Sequence, residues 1–123
     1  MVKDKTIDTE FTINGFYPLE GNNQTEVNQI CYSILNDARS RIEEIVGSTV
    51  KFKIEEIVTA AESETYDVHF SIEGAIQVDV LSQSSLTEGV ITKKAKAFLA
   101  THLLKLETVL ATGIGILVQG EEI

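Results

Sequence analysis

With one cysteine in 123 residues, no disulfide can form within the chain, so a packed core has to supply its stability. Cys31 falls on the apolar side of a predicted helix with nothing basic beside it, the setting of a small core residue and not of a reactive thiol. Proline is nearly absent: Pro18 is the only one, and no tract rich in proline, glycine or serine marks a linker. No apolar run exceeds the four residues Ala97 to Ala100, far short of the ~20 that a membrane-spanning helix needs. The charged opening Met1-Val2-Lys3-Asp4-Lys5 has no apolar stretch after it and lacks the form of a secretory signal. The expectation is one domain, residues 1–123, in the cytoplasm.

The most informative absence is of positive charge. From Ile54 to Thr92 there are eight acids (Glu55, Glu56, Glu62, Glu64, Asp67, Glu73, Asp79 and Glu88) and no lysine or arginine. That stretch holds nearly all of the net charge of −9. Such a field repels nucleic-acid backbone and anionic membranes and favours basic partners. The expected partners therefore exclude nucleic acid and membrane and include a basic protein. Glu64, Asp67, Glu73 and Asp79 are the candidate acidic partner surface.

Hydrophobic periodicity supplies the elements. Lys5 to Ile13 alternates, with Ile7, Thr9, Phe11 and Ile13 on one side, as a half-buried strand does. Asn14-Gly15 offers a two-residue turn into a short return strand that Pro18 confines to an edge. Glu20 to Asn23 reads as a loop. Apolar residues from Val27 to Val46 then recur at helical spacing over a helix from about Gln24 to Val46, with Gly47 as its stop. Val50, Phe52 and Ile54 mark a strand, and so do Tyr66, Val68, Phe70 and Ile72. Ile76, Val78 and Val80 keep the same phase beyond Gly74. One strand from Tyr66 to Val80 would reach about 50 Å, so a hairpin with a three-residue loop at Gly74 is predicted, setting Phe70 against Ile76. Ser85-Leu86-Thr87-Glu88 is a capping box opening a helix to about Ala111, with Gly113 as its stop, and Ile114 to Gln119 forms a last strand. The fold class that follows is α+β: a two-layer sandwich, mostly antiparallel sheet with two long helices on one face, in the order β-(β)-α-β-β-β-α-β.

The chemistry-bearing residues do not assemble into a site. Asp67, His69 and Ser71 share a strand face, but residues two apart in a strand stand about 6.6 Å from each other, beyond the ~3 Å reach of a general base. His102 lies in the apolar stripe of the second helix and reads as a packed histidine with one hydrogen bond. With only two histidines and no calcium-loop pattern, no metal or cofactor site is expected. Gly113-Ile114-Gly115 follows a helix and enters a strand, the reverse of a phosphate-binding loop.

In order of elements, the α-β-β-β-α core predicted from Gln24 to Ala111 resembles a double-stranded-RNA-binding domain. Lys93-Lys94-Ala95-Lys96 followed by Leu99-Ala100 is similar to the lysine-rich opening of that family's second helix. The chain departs from the family where RNA is gripped: Thr59-Ala60-Ala61-Glu62-Ser63-Glu64 replaces a Gly-Pro-x-His type of loop, and the meander is acidic. The resemblance implies a shared arrangement without RNA binding.

The back of the second helix is unusual. Ala97, Ala100, Thr101, Leu104, Thr108 and Ala111 cluster opposite its main stripe, where a one-sided surface helix carries charge. Small residues at three- and four-residue spacing around a leucine let another helix approach. These six are the candidate self-association residues. The leading expectation is a non-enzymatic interaction or assembly protein, homo-oligomeric through the second helix, with an acidic sheet surface. Two alternatives stay open: a small-ligand-binding domain or enzyme with a pocket between subunits, and an acidic nucleic-acid mimic that inhibits a basic target.

Overall fold

The computed structural model describes residues 4–59, 65–81 and 88–123. Five strands and two helices follow one another: β1 (Asp4–Glu20), α1 (Gln24–Val46), β2 (Lys51–Thr59), β3 (Thr65–Leu81), α2 (Glu88–Leu110), β4 (Gly115–Val118) and β5 (Glu121–Glu122). The strands form one antiparallel sheet in the order β2-β3-β1-β4-β5. Both helices pack on the sheet and on each other, giving the two layers of an α+β sandwich.

Neither predicted hairpin forms. β1 and β3 run straight through and pair over their whole length, from Asp4 with Leu81 to Glu20 with Thr65. At 17 residues each they extend about 55 Å. The two glycines read as turns instead lie under aromatic rings of the partner strand: Gly15 pairs with Phe70, and Gly74 with Phe11. A Cβ on Gly15 would stand 2.7 Å from Phe70 Cζ, and one on Gly74 would stand 2.9 Å from Phe11 Cζ. Each glycine makes room for a ring on the core face, a recognised way to pin register in a long strand pair. Among the described residues two strands, not three, therefore lie between the helices, and the α-β-β-β-α order of the RNA-binding resemblance is not seen there. Pro18 keeps its edge character, because β4 pairs only with Phe11 to Asn14 and leaves β1 open on that side further along.

Alternation decides which face is buried. Phe11, Ile13 and Tyr17 of β1 and Val68, Phe70, Ile72, Ile76 and Val78 of β3 point into the core. They meet Val27, Cys31, Leu35, Ala38, Ile42 and Val46 of α1 and Ala95, Leu99, Leu106 and Leu110 of α2. Each large side chain among these contributes about 1.5–3 kcal/mol by leaving water. β2 departs from simple alternation: its register slips between Ile54 and Glu56, a bulge that puts one extra residue on that strand.

The helix ends differ. Asn23 caps α1, its side chain accepting from Glu26 N at 2.9 Å, and Gly47 closes the helix in the left-handed region at φ 78°. The capping box predicted for α2 lies outside the described residues, apart from Glu88 at the head of the helix. At its other end α2 stops at Ala111 and not at Gly113: Ala111 takes φ 58°, a conformation an alanine resists by about 1–2 kcal/mol. Three contacts hold that end in place. The Tyr17 hydroxyl donates to Leu110 O, Thr112 Oγ1 donates to Phe16 O at 3.1 Å, and Ile114 N donates to Glu107 Oε2 at 3.2 Å. Gln119 and Gly120, both at positive φ, then make the tight turn between β4 and β5, a strand the sequence reading did not anticipate.

Candidate interaction surfaces

Two surfaces stand out, one on each layer. The first is the outer face of α2. Ala97, Ala100, Thr101, Leu104 and Thr108 are all exposed, Leu104 at 75%. The helix turns 100° per residue, so these side chains share one side with Val90, another exposed apolar residue. Val90 was missed by sequence reasoning, although its spacing of seven from Ala97, and of Ala97 from Leu104, is the signal of a seam for another helix. Ala111 belongs to the left-handed cap and not to the helical strip. The two threonines turn their hydroxyls inward: Thr101 Oγ1 donates to Ala97 O and Thr108 Oγ1 to Leu104 O, each at 2.8 Å. Their polar groups are satisfied within the helix, so the strip asks no hydrogen bond of whatever covers it.

The second surface is the outer face of the sheet. Cross-strand pairing sets its rows: Val58 beside Asp67 beside Pro18, Glu56 beside His69 beside Phe16, Lys53 beside Ser71 beside Asn14, and Lys51 beside Glu73 beside Thr12. Asp67 and Glu73 share this face but lie about 20 Å apart along β3, so they do not form one site. Asp79 is in β3, its backbone opposite Thr6, and Glu64 lies outside the described residues. Negative charge gathers instead at the β2 bulge, where Glu55 and Glu56 sit side by side. The sequence carries the sign of it: after Val50, Phe52 and Ile54 the next core-facing residue is Ile57, an odd step in an even series.

Half-buried strands with helices on one side imply a wet outer sheet face, and at its centre it is not wet. Ser71 is only 1% exposed, and its hydroxyl donates to Glu55 Oε1 at 2.6 Å. Being short and flanked on both sides by paired strands, it is roofed by the carboxylate at the bulge. Lys53 Nζ reaches the other oxygen of Glu55 at 3.7 Å. His69 turns from Ser71 toward Phe16, the two ring centroids lying 5.3 Å apart. Asp67, His69 and Ser71 are thus not wired together as nucleophile and base.

The remaining chemistry-bearing residues have structural roles. Cys31 is fully buried, and burial pushes its thiol up to about 11. Burial also pushes the Tyr17 phenol up to about 12, with Cys31 adding to the effect. His102 is half-buried, its Nδ1 2.9 Å from Phe98 O and its ring against Phe98. Among the described residues, no three His, Cys, Asp or Glu side chains gather to hold a metal ion, and no helix is long and apolar enough to cross a membrane. No family model matches the chain, nor does any curated protein or solved structure.

Proposed function

We propose that this chain is a non-enzymatic interaction or assembly protein that self-associates through the outer face of α2 and presents its acidic sheet face to a basic partner. Leu104 carries the reading. A leucine at 75% exposure in the middle of a strip of alanine and threonine has no role in the folded monomer, and covering it is worth about 1.5–3 kcal/mol per copy. The strip runs about 27 Å from Val90 to Thr108, long enough for two helices to lie side by side. Lys94 and Lys105 border it and keep charge at the rim, and Lys93 falls within its first turns beside Val90 and Ala97. The sheet face lies on the opposite side of the molecule, so self-association leaves it free.

Leu104→Glu tests the proposal, since a carboxylate placed at the seam would have to be desolvated without a partner. Light scattering should show the wild type as a multiple of its 13.5 kDa mass and the variant as a monomer with an unchanged circular dichroism spectrum. A variant that unfolds would place Leu104 in the monomer core. A variant that keeps the wild-type mass would remove α2 from the interface.

A further inference from the structure

The bulge in β2 makes more than an acidic patch. A hollow of about 360 Å³ opens there on the outer sheet face, lined by Asn14, Phe16, Glu55, Glu56 and His69. One wall is aromatic: Phe16 is 45% exposed, and His69 lies against it at 30°. The other wall is the carboxylate pair. Glu55 is fixed from below by the buried Ser71 hydroxyl and from the side by Lys53. Glu56, across the strand pair from His69, is exposed, and among the described residues no lysine or arginine is paired with it.

We infer that this hollow receives an arginine side chain of the partner protein, a refinement that rests on reading the sheet face as the partner surface. The chemistry selects arginine. A guanidinium is a flat cation that stacks on a ring while its edge offers two parallel donors to a carboxylate. Phe16 and His69 supply the ring wall, and Glu56 the free carboxylate, on adjacent strands of one row. A lysine ammonium is a compact, strongly hydrated point charge and would use the acids but not the wall. The size agrees, because the hollow is at the small end of the range for ligand pockets and lies open along the sheet, room for one side chain entering from a second surface. Charge agrees as well: Lys53, the cation beside the hollow, is engaged by Glu55, and the segment from Ile54 to Thr92 offers no other lysine or arginine.

The test is a nuclear magnetic resonance titration of the labelled full chain with N-acetyl-arginine amide, and with N-acetyl-lysine amide for comparison. Arginine should give saturable shifts at the amides of residues 14–16, 55–57 and 69–71, with lysine about fivefold weaker. Glu56→Gln and Phe16→Ala, both exposed positions that leave the core intact, should each weaken arginine about fivefold, the size of one modest charged contact. No saturable shift, equal response to the two amides, or unchanged affinity in both variants would overturn the inference. A basic peptide that binds wild type and both variants alike would overturn the hollow while leaving the acidic-face reading standing. Repeating the titration on Leu104→Glu keeps the question apart from self-association, because the hollow faces away from α2.

Discussion

α1 and α2 have the same length, 23 residues, and cover the same sheet, yet they treat water differently. On α1 the outward positions are Ser33, Asn36, Asp37, Ser40, Arg41 and Glu44, with Tyr32 the single large apolar side chain among them. On α2 the corresponding side is Val90, Ala97, Ala100, Thr101, Leu104 and Thr108, with Lys93 the one charge among them. Their inner faces are equally apolar, so the fold of the monomer accounts for both helices inside and for only one of them outside. The contrast shows that the apolar content of α2 exceeds what its own core uses, an excess that the proposed self-association would account for. Charge follows the opposite division: acids collect on the sheet at the β2 bulge, and Lys93, Lys94 and Lys105 stand on or beside the strip of α2.

The contrast extends beneath the helices, where it can be broken by pH. Cys31 is on the inner face of α1, and Tyr17 holds the end of α2. Both are acids whose pKa the fold raises, from 9.0 to about 11 and from 10.0 to about 12. The folded chain then favours their protonated forms, and the unfolded chain ionises first. Their contribution is complete below about pH 9 and is lost as pH rises, between about 9 and 11 for Cys31 and between about 10 and 12 for Tyr17. Each loss amounts to about 3 kcal/mol at most. Denaturant melts across this range should show a falling stability, from which Cys31→Ala removes the lower window and Tyr17→Phe the upper. Tyr17→Phe should also lower stability by about 1 kcal/mol at neutral pH, since Leu110 O loses its donor. A flat profile from pH 9 to 12 in the wild type would contradict the burial of both groups.

The helix ends give a smaller effect with opposite signs. Gly47→Ala at the end of α1 should destabilise by about 1 kcal/mol, because alanine resists the left-handed region that Gly47 occupies. Ala111→Gly at the end of α2 should stabilise by about 0.5 kcal/mol, the relief of that same conformation less the entropy a glycine adds to the unfolded chain. Thermal melts of the two variants should move in opposite directions, and a shared direction would show that the caps do not set these ends. Least of all, Ser40→Glu on the outside of α1 should change stability by less than about 0.5 kcal/mol and leave the mass in solution unaltered.

Local signals made α1 legible from about Gln24 to the Gly47 stop, because each feature depends on residues within one or two turns, although the Asn23 cap was read only as loop. The long strands were not legible, although their phase was. Ile7 to Leu19 and Tyr66 to Val80 hold one alternation straight through Gly15 and Gly74, but a glycine after asparagine or glutamate is also a turn signal. Only the partner strand decides between these readings. The ring over Gly15 belongs to Phe70 and the ring over Gly74 to Phe11, neighbours brought together by the sheet and not by the sequence. The bulge was legible in principle as the slip from Ile54 to Ile57. The burial of Ser71 was not, since it depends on that slip carrying Glu55 over it. The exposed strip on α2 was read from periodicity, with Val90 missed at one end and Ala111, at the other, lying just past the last helical residue.

The central claim is that α2 has two working faces, and the mass of the wild-type chain in solution tests it most directly. Sedimentation equilibrium from about 1 to 100 μM should return a multiple of 13.5 kDa that persists on dilution into the low micromolar range, as a micromolar or tighter interface requires. A mass of 13.5 kDa at about 100 μM would mean that Leu104 stays in water, and the account of the second helix would be wrong.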